Sequence, residues 1–219
     1  MSGPSEQRPA DVADDRRAKL QIRDLDRISV AGTIMRPIRR PLGVSAFGVN
    51  AYTGDKAGDL VIEPHDELNP GGGRHEELYV VLTGHATFEL DGEEIDAPAG
   101  TLVFVRPEQH RAAHARADDT TVLVVGGKPG AAGPPSPFEY YFVAAGAEPE
   151  RAYEICAEGL EHYPDHGGLH YNLACYAALA GRREDALRHI AVAFERDPRT
   201  REWAREDADL DPIRDQLHF

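Results

Sequence analysis

Residues 65–110 form a succession of short apolar runs broken by turn residues, and that rhythm leaves few architectures open. ELYVVL, ATFEL and TLVFV are rich in Val, Phe, Tyr and Thr, and Gly, Pro and Asp separate them. Asp91-Gly92 lies between two such runs and predicts a two-residue hairpin. The pattern extends outward through SAFGVNAY, DLVIEPH and TTVLVV, so residues 22–125 read as β. Many short strands at this spacing predict a sandwich or a small barrel.

The period then changes. KPGAAGPPSP, residues 128–137, cannot hold regular structure, because its prolines lack donors and its glycines resist ordering. Beyond it Ala152, Ile155, Cys156, Gly159 and Leu160 share one face at helical spacing, and Pro149 marks the helix start. A second helix is expected over residues 168–179, stopping at Gly181. A third opens at Glu184 and Asp185 and ends before Pro198, and a short last helix with an irregular end follows. The expected organisation is a tail over residues 1–20, a β domain over 21–128, a linker over 129–137 and a helical domain over 138–219. The fold class is therefore α+β in two parts.

The helical part carries a repeat. Ala152 and Ala186 lie 34 residues apart, as do Pro164 and Pro198. Leu173, Ala174, Gly181, Ala186, Ile190, Ala193 and Pro198 occur at offsets that resemble the tetratricopeptide (TPR) pattern, with one repeat over residues 166–198 and a partial one before it. The resemblance implies paired helices that approach closely at small residues. So short an array lacks a long peptide groove, and the helices are expected to pack on the β domain or on another subunit, or to serve a protein partner.

Charge excludes some functions. Lys plus Arg number 24 against 38 for Asp plus Glu, a net charge of −14 that opposes nucleic acid and anionic membrane surfaces. No run is long and apolar enough to span a bilayer, and residues 1–21 lack the apolar core of a secretory signal, so that end reads as a solvated tail. Cys156 and Cys175 read as reduced, buried thiols of a cytoplasmic protein.

Two further stretches carry a family resemblance. HEELYVVLTG places Glu77 seven residues before Gly84, and GEEIDAPAGTLVFVRPEQH sets Gly92, Pro98 and Gly100 ahead of a Val/Phe run and His110. These resemble the two motifs of the cupins, small double-sheet barrels of the jelly-roll class, over roughly residues 40–126. The resemblance implies a metal pocket at the barrel mouth. The sequence departs from the family where a His-x-His pair is usual: Gly71-Gly72-Gly73 stands there, with His65 and His75 to either side.

Strand parity brings imidazoles and carboxylates together. Glu63, His65 and Glu67 share one face, His75, Glu77, Tyr79 and Val81 another, and His110, Ala112 and His114 a third, with Pro64 placed to bulge the first strand. The expected metal set is His65, His75, Glu77 and His110, with Glu67 in reserve. Such ligands suit a divalent transition metal, Fe, Mn, Ni or Zn, with open positions for substrate. Asn50, Tyr52 and Tyr79 are expected to contact a small-molecule ligand, with Val81, Phe88 and Phe104 further along the cavity wall. His85 and His114 are read as exposed strand residues, and His162, His166, His170 and His189 as helix-surface residues.

Two functions fit. One is a metal-dependent enzyme, a dioxygenase, isomerase or lyase, acting on a small polar metabolite. The other is a non-enzymatic sensor or scaffold whose helices mediate protein interaction or dimerisation. A homodimer is expected in either case, with the first strands at an edge.

Overall fold

The computed structural model describes residues 18–69 and 73–218. The tail reading therefore falls mostly on residues 1–17, outside the described residues, as do Pro70, Gly71 and Gly72 of the glycine-rich loop. The chain divides into two compact units, Met1–Ala132 and Gly133–Phe219. The first is built of strands and the second of helices, so the fold is α+β.

Among the described residues the first unit has ten strands: β1 (Ile28–Val30), β2 (Thr33–Pro37), β3 (Gly48–Gly54), β4 (Leu60–His65), β5 (Glu76–Thr83), β6 (His85–Leu90), β7 (Glu93–Pro98), β8 (Leu102–Val105), β9 (Arg111–Ala115) and β10 (Thr120–Gly127). One helical turn, α1 (Arg39–Leu42), sits between β2 and β3. The strands make a six-stranded sheet in the order β1-β2-β3-β10-β5-β8 and a four-stranded sheet in the order β4-β9-β6-β7. Every pairing is antiparallel. The predicted hairpin joins β6 to β7: Leu90 faces Glu93, and Asp91 and Gly92 both take positive φ, 50° and 89°. That turn matches the twist of the flanking strands.

Alternation decides what lies between the sheets. Val61, Ile62, Tyr79, Val81, Phe88, Val103, Val105, Ala113, Ala115 and Val122 pack into one buried cluster drawn from both sheets. Tyr79 and Phe88 meet edge-on at 5.4 Å, and burying each such ring contributes about 1.5–3 kcal/mol. Phe104, by contrast, points outward with the Arg106 guanidinium over its ring, so it does not line the interior. The opposite face of the six-stranded sheet buries Ile38, Val49 and Ala51 beneath Ile22, Leu25, Leu42 and Val44.

Strand β4 breaks the alternation. Its ladder with β9 shifts twice: Leu60 faces His114, Ile62 faces Ala113, and His65 faces Arg111. Val61 and Ile62 are therefore both interior, and the second shift falls around Pro64, whose missing N–H a regular ladder would need.

The second unit comprises α2 (Pro137–Ala144), α3 (Pro149–His162), α4 (Gly167–Leu179), α5 (Arg183–Arg196) and α6 (Thr200–Glu206), closed by a 3-10 segment, Ala208–Gln216. The Glu139 carboxylate accepts the Ser136 backbone N–H at 2.5 Å and fixes the entry to α2. Small residues let the helices approach. A Cβ at Gly159 would lie 3.1 Å from Leu169, and Ala174, Ala177 and Ala178 face Ala186, Ile190 and Ala193. Helix α4 is buried on both flanks, because Leu169 and Leu173 belong to the cluster with α3 while Ala174 and Cys175 belong to the cluster with α5.

That double burial corrects the surface reading of two histidines: His170 and His189 are buried. Their partners assign every proton. The Pro164 carbonyl accepts from His170 Nε2 at 3.0 Å, which leaves His170 Nδ1 as the acceptor for His189 Nδ1–H at 2.9 Å. His189 Nε2 in turn accepts the Tyr153 hydroxyl at 3.1 Å. His166 is also structural, since its Nδ1 accepts the Leu169 N–H and caps α4. Cys156 and Cys175 are free and buried, and burial pushes the Cys156 thiol up to about 12, so it is inert as a nucleophile.

Candidate metal centre

Three side chains converge at one end of the β unit. His65, Glu67 and Glu77 each offer a ligand atom, and the three atoms lie within 4.8 Å of one another. His65 comes from the last position of β4, where the bulge turns it inward opposite Arg111. Glu77 comes from β5, on the same face as Tyr79 and Val81. Glu67 comes from the loop after β4, which is anchored by the Glu67 N–H on the Pro107 carbonyl at 2.9 Å.

Each of the three is held in orientation. The Glu63 carbonyl lies 2.7 Å from His65 Nδ1 and accepts its proton, so Nε2 carries the lone pair. That nitrogen faces Glu77 Oε2 at 3.8 Å and Glu67 Oε1 at 3.9 Å. Glu67 Oε2 accepts the Gly73 N–H at 2.7 Å. Glu77 Oε2 accepts the Tyr79 hydroxyl at 2.5 Å and lies 3.7 Å from the Arg111 guanidinium, which is fully buried. Across the ladder Gly126 of β10 faces Glu77, and a Cβ there would lie 3.4 Å from the Glu77 side chain.

The electrostatics follow from these contacts. Contact with Glu77 raises the His65 pKa against the opposing effect of burial. Burial pushes Glu77 up, but His65, Tyr79 and Arg111 outweigh it and hold the carboxyl below its ordinary value. Burial, reinforced by Glu63, Glu77 and Glu67, keeps the Tyr52 phenol protonated, and burial beside Glu77 does the same for Tyr79. An imidazole lone pair facing two carboxylates favours a positive charge between them, either a proton on His65 or a cation, beside the one Arg111 already supplies to Glu77. One neutral nitrogen and two carboxylates are a donor set for a divalent transition metal, so the residues present fit such an ion.

Of the expected set, the fold brings together His65 and Glu77, and adds Glu67. His75 stands beside them, with Nδ1 3.9 Å from Glu67 Oε2, and its ring folds over Gly73, where a Cβ would lie 2.2 Å away. His110 is exposed at the start of β9, its backbone N–H bound to Asp91, and lies outside the three-residue group. The interior parity of β9 is that of Arg111, Ala113 and Ala115. Tyr52 packs on the interior cluster, while Asn50 accepts the Ile38 N–H at 3.3 Å near the strand end.

No protein-family model matches this sequence, and no curated protein matches it. Among solved structures the chain is similar to KdgF from Halomonas sp., at 18% identity over 50% of this chain and 92% of that one, with a TM-score of 0.41. It is similar to a cupin protein from Bacteroides fragilis at 25% identity, over 49% of this chain and 86% of that one, TM-score 0.35. An RmlC-like cupin from Desulfovibrio desulfuricans shares 23% identity over 57% of this chain and 96% of that one, TM-score 0.36. The solved structures that resemble this chain are thus cupin and RmlC-like proteins, matched over about half its length.

Proposed function

We propose that the β unit is a metal-binding cupin in which His65, Glu67 and Glu77 hold a divalent transition metal, Fe, Mn, Ni or Zn, and that its pocket takes a small polar metabolite. The convergence of three ligand atoms within 4.8 Å carries this reading. The reaction belongs to the classes such a centre serves, dioxygenase, isomerase or lyase. A bound ion supplies Lewis-acid polarisation of the substrate at positions the protein leaves open. The chain's own residues do the rest. Glu63 sets the His65 tautomer, Tyr79 and Arg111 orient Glu77, and the Tyr52 phenol keeps a proton to donate to a bound anionic group.

The test is metal content by plasma mass spectrometry on untagged protein, as purified and after incubation with each of the four ions. About one equivalent in the wild type, lost in His65→Ala and in Glu67→Gln, is the expected result. No uptake of any of the four would overturn the reading.

One observation favours a second reading, a non-enzymatic sensor or scaffold: the Arg111 guanidinium already sets a positive charge 3.7 Å from Glu77. Under either reading we propose a cytoplasmic homodimer. Strand β1 supports the dimer, as an edge strand that exposes Ile28 and Val30. The helical unit, with the TPR-like 34-residue spacing of Pro149 and Arg183 at the starts of α3 and α5, exposes Phe138, Phe142 and Val143 on α2 for a protein partner. Light scattering of Val30→Lys tests the dimer, with a monomer expected and an unchanged dimer against it.

A further inference from the structure

A second polar site lies away from the barrel mouth. A cavity of about 550 Å³ is lined by Arg23, Arg27, Arg36 and Thr53, together with Asp55 and Asp119, among others. Thr53 shares strand parity with Ala51, so it faces away from Tyr52 and the candidate metal centre. Arg36 stands opposite Ala51 on β2, and Thr121 opposite Thr53 on β10.

Two buried polar atoms on this wall lack partners. Arg36 is 8% exposed and Thr53 9%, and neither Arg36 Nε nor Thr53 Oγ1 makes a hydrogen bond. Arg36 Nη1 donates to the carbonyls of Leu25, at 2.8 Å, and Arg23, at 3.3 Å. Those carbonyls orient the guanidinium without neutralising it. Among the described residues Arg36 makes no ion pair: the Asp55 carboxylate on the same cavity is near enough to feel the Arg36 charge, but it is held by Arg27 at 2.6 and 3.0 Å. A guanidinium taken out of water with no carboxylate in contact is costly, and a buried hydroxyl without a partner adds to that cost.

The missing partner is an acceptor that carries negative charge. We propose that this cavity binds a small molecule through an oxyanion, a carboxylate or a phosphate, with Arg36 as its anchor and Thr53 as a hydroxyl donor. The planar guanidinium fork suits both anions, and the volume lies in the range of small-ligand sites. The site is independent of any metal at His65, Glu67 and Glu77.

The test follows the arginine Nε–H signals of the full-length protein labelled with 15N-arginine. Arg36→Lys and Arg111→Lys assign the two buried signals. Inorganic phosphate and malonate are titrated separately, which tells a phosphate site from a carboxylate site. The expected result is a saturable shift of the Arg36 signal with one of them, at a Kd on the order of 1 mM or tighter, while Arg111 stays in place. Thr53→Val, which keeps the side-chain shape, should weaken binding at least threefold. No saturable shift at Arg36 with either anion, a shift confined to Arg111, or unchanged affinity in both Thr53→Val and Arg36→Lys would overturn the proposal.

Discussion

The buried histidine pair should make the helical unit sensitive to acid, and the size of the effect follows from its hydrogen bonds. Every ring nitrogen of His170 and His189 is committed with both rings neutral. Burial, then His170 and then Arg188 lower the His189 pKa from 6.5 to about 4, and Asp185 opposes them only in part. The Arg182 guanidinium, 3.9 Å from the Tyr153 ring centre, adds to the lowering. The sign is fixed by the direction. As pH falls below about 6.5 the unfolded chain takes up a proton that the folded unit refuses until about pH 4. Stability is therefore lost across that window and levels off below it. Each pH unit removes up to about 1.4 kcal/mol, so the unit should be roughly 2.5 kcal/mol less stable at pH 4.5 than at pH 7. Urea unfolding at the two pH values, followed by circular dichroism at 222 nm, reads this loss. His189→Gln cannot take up the proton, and its loss between the two pH values should be smaller than wild type by about that amount. Equal losses in variant and wild type would refute the reasoning.

Three other outcomes are expected. Arg111→Ala leaves the partly buried Glu77 without its fixed cation and empties a fully buried site, and should lower stability by about 3–5 kcal/mol in urea, whereas a loss under about 1 kcal/mol would mean that Arg111 is dispensable. Gly84→Ala places a Cβ 2.4 Å from Thr120 Oγ1 and 2.6 Å from its Cα, at φ +72°, and should cost roughly 2–4 kcal/mol; calorimetry showing an unshifted Tm would contradict the packing. His110→Ala should keep the metal content that His65→Ala loses, and equal loss by mass spectrometry in both would return His110 to the ligand set.

Strand signals were the legible part of this chain. The runs read as β match β3, β4, β5, β6, β8 and β10, and the Asp91-Gly92 turn formed where its chemistry placed it. The parity of β5 was also legible, because Tyr79 and Val81 are large and apolar at alternate positions and carry Glu77 inward with them. In β9 the histidines drew attention to the wrong parity. Ala113 and Ala115 are too small to announce a core face, yet their size makes room for the aromatic rings of β5 and β6, and Arg111 enters on their side. Glu67 was reached by strand count only as a reserve ligand, because β4 ends at His65 and the loop beyond it carries Glu67. Tertiary position hid the buried histidine pair: α4 is enclosed by helices on both flanks, so no polar stripe marks an outer surface.

The two shifts of the β4 ladder mean that this strand carries residues its partner does not match. Between Ile62 and His65 the strand advances three positions while β9 advances from Ala113 to Arg111. The surplus position makes the strand forgiving of a shorter spelling. A chain lacking Pro64 would regain a regular ladder and still set its histidine opposite Arg111. A residue lost from within β9 has no such slack to draw on, and would turn Arg111 out of the interior. Within one sheet, length is negotiable on one side of the pocket and fixed on the other.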